Sequence, residues 1–242
     1  MDNTTIFTYT HENCIDAWEP YLNSLDLYVP EIESVIIVNK DYEDFGRHKF
    51  RMYDDNKNYC EEYVRCLREN VKTKYFIYMQ EDFILYDRVD ISTLQRYTNF
   101  LDEGSVSFVR LIRCGDVSNT QIRDDLYWIT EPSSNHRFVN CFSMQPTIWN
   151  TEHFINLYEA SKCERFGEFP AYPENMNRMG IRGAYAYNNE PMRQNSLHYD
   201  TSVFPYIATA LVKGKWNITE YSNELEPIFK KYCINPTDRG TR

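Results

Sequence analysis

The chain has 242 residues, a net charge of -10, 16% aromatic residues and eight glycines. This composition excludes collagen-like, low-complexity and disordered classes, and the negative charge weighs against nucleic acid as the main partner. No apolar run reaches the roughly eighteen residues of a membrane span, and the N-terminus lacks the basic-then-apolar order of a signal peptide. The seven cysteines contain no Cys-x-x-Cys pair, which suits reduced thiols and a cytoplasmic location better than a disulfide framework or a zinc site.

In chain order, Thr5 to Thr10 is strand-like. Asn13 is placed to cap a helix over 14–28 with Ile15, Trp18, Leu22 and Leu25 on one stripe. Pro30 stops it, and "SVIIV" (34–38) reads as a second strand ending at Asn39. A polar, aromatic loop runs to Lys57, after which Asn58 caps a helix over 59–71. "YFIYMQEDFIL" (75–85) opens with five apolar or aromatic residues without alternation, the mark of a strand buried on both faces. A helix over 91–101 and a fourth strand, "SVSFVRLIR" (105–113), follow. The alternation β-α-β-α-β-α-β predicts an α/β fold with a mainly parallel, doubly wound sheet. Such sheets bind ligands beyond the carboxyl ends of their strands, where Thr10-His11, Asn39-Lys40 and Gln80-Glu81-Asp82 lie.

The second half is less regular. "LYWIT" (126–130) and "FVNCFSMQPTIW" (138–149) read as strands of a smaller antiparallel extension, and Thr151 as the cap of a helix through Ala160. Residues 164–180 read as partly helical and "GAYAY" (183–187) as a strand. "YIATALVKGKW" (206–216) leads to a turn at Gly214, and 222–232 reads as a helix. We expect one domain over 1–242, with 1–113 holding the nucleotide and 114–242 the acceptor and catalytic groups.

Glu81 and Asp82 carry the main chemical signal. Burying charge is unfavourable unless it is paired or bound to metal. An acidic protein can hold a nucleoside diphosphate by setting a divalent cation, Mn2+ or Mg2+, between carboxylate and phosphate. The cation then stabilises the departing diphosphate. The plainer account is that the two acids cap the next turn or pair with an arginine. His48, His136 and His153 have no such context and read as surface residues. Trp128, Trp149 and Trp216 read as core rather than as sugar platforms.

"TKYFIYMQEDFIL" resembles the strand and acidic motif of nucleotide-sugar-dependent glycosyltransferases of the GT-A fold, and "TYTHENCIDAWEPYLNSL…SVIIVNK" resembles their first β-α-β unit. "FSMQPTIWNTEHFINLYE" and "VKGKW" are similar to segments of small transferases of surface-polysaccharide biosynthesis. The family's acidic motif is Asp-x-Asp. Here Gln80 takes the first place, so Glu81 or Asp82 serves alone. The resemblance implies that Tyr9, Thr10 and His11 meet the base and ribose, with Asn39 and Lys40 opposite and Glu81 in support. Asn58 combines a helix cap with a phosphate-attracting helix start. The resemblance also implies Asp82 as the metal ligand, and His198 as a group returned to the metal or diphosphate, with Asp200 behind it. An inverting transferase needs a general base, for which the pattern points to "CERFGEFPAYPE": Glu168 first, then Glu164 and Glu174. The acceptor would be a glycan or other hydroxyl compound.

Two alternatives stand beside this reading. A nucleotidyltransferase also puts acids at strand ends, but commonly with a Gly-rich, basic loop after the first strand. "TYTHENC" has neither glycine nor a basic pair. A GT-A-like module that binds a nucleotide sugar or glycan without turnover fits the glutamine at position 80.

Overall fold

The computed structural model describes residues 1–115, 117–129, 144–161, 176, 178–193 and 197–242. It is an α/β fold built on a nine-stranded sheet with helices against it and a separate two-stranded hairpin. The strands are β1 (Thr4–Tyr9), β2 (Glu33–Val38), β3 (His48–Met52), β4 (Tyr75–Gln80), β5 (Phe108–Arg110), β6 (Gln121–Arg123), β7 (Leu126–Trp128), β8 (Thr147–Asn150) and β9 (Gly183–Ala186). Their spatial order is β3-β2-β1-β4-β8-β5-β9-β7-β6. β1 to β4 are parallel, β8 runs against them, and β5 and β9 resume their direction.

The apolar runs explain the centre. Every residue from Tyr75 to Met79 is buried, because α1 (Ile15–Tyr28), α2 (Tyr59–Asn70), α3 (Ile91–Asp102) and α4 (Thr151–Ser161) supply apolar faces against the sheet. Phe7 and Phe76 meet edge-on at 6.0 Å, and Phe154 closes on Phe76 at 5.0 Å. The hairpin β10 (Leu211–Val212) and β11 (Lys215–Trp216) turns at Lys213 and Gly214, both with positive φ. α5 (Ile218–Lys231) and α6 (Pro236–Arg239) complete the chain.

Four local expectations change. The loop expected before Lys57 contains β3, an edge strand paired with β2. His48 is therefore not a surface residue. It is fully buried opposite Ser34, with Nε2 3.2 Å from Asp26. Asn13 does not cap α1: the His11 side chain caps a short 3-10 turn, Glu12–Cys14, that precedes it. Asn150, not Thr151, caps α4 by accepting from the His153 N–H at 3.1 Å, while the Thr151 hydroxyl donates to the Thr73 carbonyl. Finally, the strand expected over 105–113 is confined to Phe108–Arg110 (β5), and β8 lies between it and β4. Among the described residues no helix is long and apolar enough to cross a membrane.

Candidate active site

Three strand ends meet at one edge. Tyr9 is in register with Ile37 of β2 and Gln80 of β4. Beyond β1 the Thr10 N–H still reaches the Ile37 carbonyl at 3.0 Å, which carries Thr10 into the edge. Its hydroxyl accepts from the Trp18 indole at 2.9 Å, and its carbonyl accepts from the Tyr53 hydroxyl at 3.2 Å. Beyond β4 the chain turns at once, with the Phe83 N–H bonded to the Gln80 carbonyl at 3.1 Å. This turn presents Glu81 and Asp82 side by side.

Asp82 is buried, with 7% of its surface exposed. Oδ2 accepts one bond, from the Leu211 N–H at 3.3 Å, and Oδ1 is buried with no hydrogen-bond partner. Burial, and then the Glu81 charge, push the Asp82 carboxyl well above the usual carboxylate range. Glu81 is also raised by burial, offset by hydrogen bonds from the Cys14 thiol and the Thr10 hydroxyl and by the Arg239 charge. The Cys14 thiol is in turn pushed up to about 12, first by burial and then by Glu81. It remains a hydrogen-bond donor and is not a nucleophile. Buried Asp82, with its unused oxygen, and half-buried Glu81 beside it form an anionic pair that takes up a proton or a cation.

The other predicted residues divide. Asn39 Oδ1 accepts from the Glu12 N–H at 2.9 Å, and Lys40 Nζ lies 3.5 Å from the Glu12 carboxylate. His11 Nε2 is 3.3 Å from Asp55. The Tyr9 ring stacks on Tyr53 at 5.1 Å and meets Tyr59 edge-on. These residues gather at the carboxyl ends of β1 and β2. Asn58 Oδ1 caps α2 through the Glu61 N–H at 3.1 Å. His198 is not brought to Asp82. It bridges Cys114, and its Nδ1 lies 3.9 Å from Glu220. Asp200 is held by Arg193 at 2.6 Å. Glu164, Glu168, Glu174 and His136 lie outside the described residues.

Sequence reasoning missed several contributors. Arg239 crosses the whole chain to reach Asp16 (Nε–Oδ2, 2.8 Å) and the Asn13 carbonyl (2.8 Å), next to Cys14. Residues 240–242 bond to Trp216 in both directions, so the C-terminal segment straps the hairpin to the first β-α turn. Glu12 and Cys14 sat in a quoted motif, but their roles depend on Asn39 and Glu81, which are remote in sequence.

Among the described residues, no three His, Cys, Asp or Glu side chains gather to hold a metal. The Asp82-Glu81 pair and its unpartnered oxygen fit a hard cation that takes its remaining ligands from phosphates and water.

No protein-family model matches the chain, and no curated protein matches it. Among solved structures, a cytidylyltransferase from Leptospira borgpetersenii serovar Hardjo-bovis aligns over 97% of this chain and 97% of its own, with TM-score 0.52 and 13% identity. The bifunctional IspDF of Campylobacter jejuni aligns over 81% of this chain with TM-score 0.48 and 13% identity. This chain spans about half (52%) of that protein. The mannosyltransferase PcManGT of Pyrobaculum calidifontis, solved with GDP-Man and Mn2+, aligns over 79% of this chain and 58% of its own, with TM-score 0.43 and 12% identity. The likeness to the cytidylyltransferase, at 13% identity, shows the fold alone and leaves the chemistry to the site.

Proposed function

We propose that this chain is a glycosyltransferase that moves a sugar from a nucleoside-diphosphate donor to a hydroxyl of a glycan or similar acceptor. The carrying observation is Asp82: a buried carboxylate with a free oxygen, beside Glu81, at the carboxyl end of a central strand. In this reading Asp82 and Glu81 would hold a divalent cation, Mn2+ or Mg2+, which would supply charge stabilisation for a departing diphosphate. Tyr9, Thr10, His11, Asn39 and Lys40 frame the base and ribose. Cys14 and Thr10 fix the Glu81 carboxylate by donating to it. Lys213 and Lys215, on the hairpin whose Leu211 amide clasps Asp82, add positive charge on the diphosphate side. The acceptor hydroxyl loses its proton to a carboxylate of the 164–174 segment, Glu168 first, while its oxygen attacks the anomeric carbon opposite the leaving group. Residues 1–242 act as one domain, the first half for the donor and the second for the acceptor. The free thiols of Cys14 and Cys66 suit the cytoplasm.

Isothermal titration of a panel of nucleotide sugars, with Mn2+ and then with EDTA, tests the reading. The matching donor should bind only with the metal, and at about 100 times its Kd should stabilise the fold by about 2.7 kcal/mol. Asp82→Asn should abolish that binding without unfolding the protein. Glu168→Gln should keep donor binding and slow transfer by about 10²–10⁴-fold. Equal affinity in EDTA removes the metal bridge. Pyrophosphate release from a nucleoside triphosphate and a sugar phosphate would make the chain a nucleotidyltransferase instead.

A further inference from the structure

Arg113 stands out among the arginines of this acidic chain. Arg96 pairs with Asp125, Arg123 with Glu103, Arg193 with Asp200 and Glu224, and Arg239 with Asp16. No carboxylate pairs with Arg113 among the described residues. Its guanidinium sits among three tyrosine rings instead, 4.7 Å from the centre of Tyr187, 4.8 Å from Tyr199 and 6.0 Å from Tyr185. One arm donates to Asn119 Oδ1 at 2.7 Å, and Nε is buried with no partner. A half-buried cation with an unused N–H favours an anion.

The position fits a substrate. β5 and β9 run parallel to β4, so their carboxyl ends lie on the same edge of the sheet as Glu81 and Asp82. Arg113 follows β5, Tyr187 follows β9, and the Tyr199 N–H bonds to the Arg113 carbonyl at 3.1 Å. Strand spacing puts β5 about 10 Å and β9 about 14 Å from β4 along that edge. Tyr187 and Tyr199 are half-buried and meet edge-on, 5.4 Å apart at 79°. Aromatic side chains offer an apolar face with a polar tip, and a guanidinium fork matches carboxylate and phosphate oxygens two at a time.

We propose that Arg113, Tyr187 and Tyr199 form an acceptor subsite for an acidic sugar, one carrying a carboxylate or a phosphate. The proposal deepens the glycosyltransferase reading and rests on it for the word acceptor. The binding itself does not depend on the donor.

The test uses the full chain without donor. Methyl glucoside, methyl glucuronide and glucose 6-phosphate are titrated and followed by saturation-transfer NMR and thermal shift. At least one acidic sugar should bind at least tenfold more tightly than the neutral one, and added salt should weaken it; which of the two binds identifies the anion. Arg113→Gln should lose that preference, and Arg113→Lys, which keeps the charge without the fork, should weaken it less. Tyr187→Ala should weaken acidic and neutral sugars alike. A lower melting temperature in Arg113→Gln with the acidic preference intact would make the arginine a packing residue and overturn the proposal. Equal binding of all three sugars would also overturn it. Failure of every nucleotide sugar to bind, with the acidic preference present, would instead refute the transferase reading and leave a glycan-binding site.

Discussion

Asp82 is a side chain whose environment opposes its charge. Its carboxyl and that of Glu81 are both raised by burial. A carboxyl raised in the folded state holds its proton there after the unfolded chain has released it. Stability therefore falls as pH rises above about 4, the unfolded carboxylate range, and is unaffected below it. In metal-free protein, Asp82→Asn should gain stability relative to the parent as pH rises from 4 to 8, and the two should converge near pH 4. Urea unfolding across that range checks this, and Mn2+ should flatten the slope for the parent alone. The motif was legible because a buried apolar strand ended in two acids. The Asp82 clasp was not legible, because its donor is the backbone amide of Leu211, which no residue identity advertises. His198 failed to reach Asp82 because its ring is taken up beside Glu220, on a helix that sequence order alone could not position.

At the scale of elements, the alternating pattern gave β1, β2, β4 and their helices within about a residue or two of the observed bounds. It missed β3, although "HKFRM" alternates as a half-buried strand should, with His48 and Phe50 inward and Lys49 exposed. The preceding run of polar and aromatic residues masked the period. The insertion of β8 between β4 and β5 was also hidden, since strand order depends on long-range pairing that local pattern does not encode. The centre of that insertion is tightly fitted. Phe108 stacks on Trp149 at 4.2 Å, and Gly183 lies opposite it in β9. A methyl group at Gly183 would fall 2.1 Å from the Phe108 ring, which has Trp149 behind it and cannot withdraw. Gly183→Ala should therefore destabilise the fold by about 1–3 kcal/mol, the range for overpacking a close-fitted core. Denaturant melts would show it, and Phe108→Leu in the same chain should recover part of the loss.

For the whole molecule, the sheet joins strands from both halves of the sequence, and the chain's two ends are tied across it. Arg239 bonds to the first β-α turn, while residues 240–242 bond to the hairpin. Removing 236–242 takes away several hydrogen bonds worth about 0.5–1.5 kcal/mol each. For a net loss of about 2 kcal/mol the melting temperature should fall by about 4–8 °C, at about 2–4 °C per kcal/mol for a chain of this length. Donor affinity should fall too, because both the Glu81 neighbourhood and the hairpin that clasps Asp82 lose their brace. A truncated chain with unchanged melting and donor titration would show that the strap carries no load. None of this was readable beforehand: the two partners are 223 residues apart, and local pattern gives no signal of distant pairing.

The clasp on Asp82 also bears on how this site would look across relatives. It is made by a main-chain N–H, and the Leu211 side chain is only half-buried. Any residue but proline supplies the same donor. Position 211 can therefore drift while Asp82 stays fixed, and an alignment would score as variable a point on which the site's acid depends. The durable marks of that dependence would lie elsewhere, in the tight turn at Lys213 and Gly214 that sets the hairpin, where both residues hold positive φ and few side chains fit.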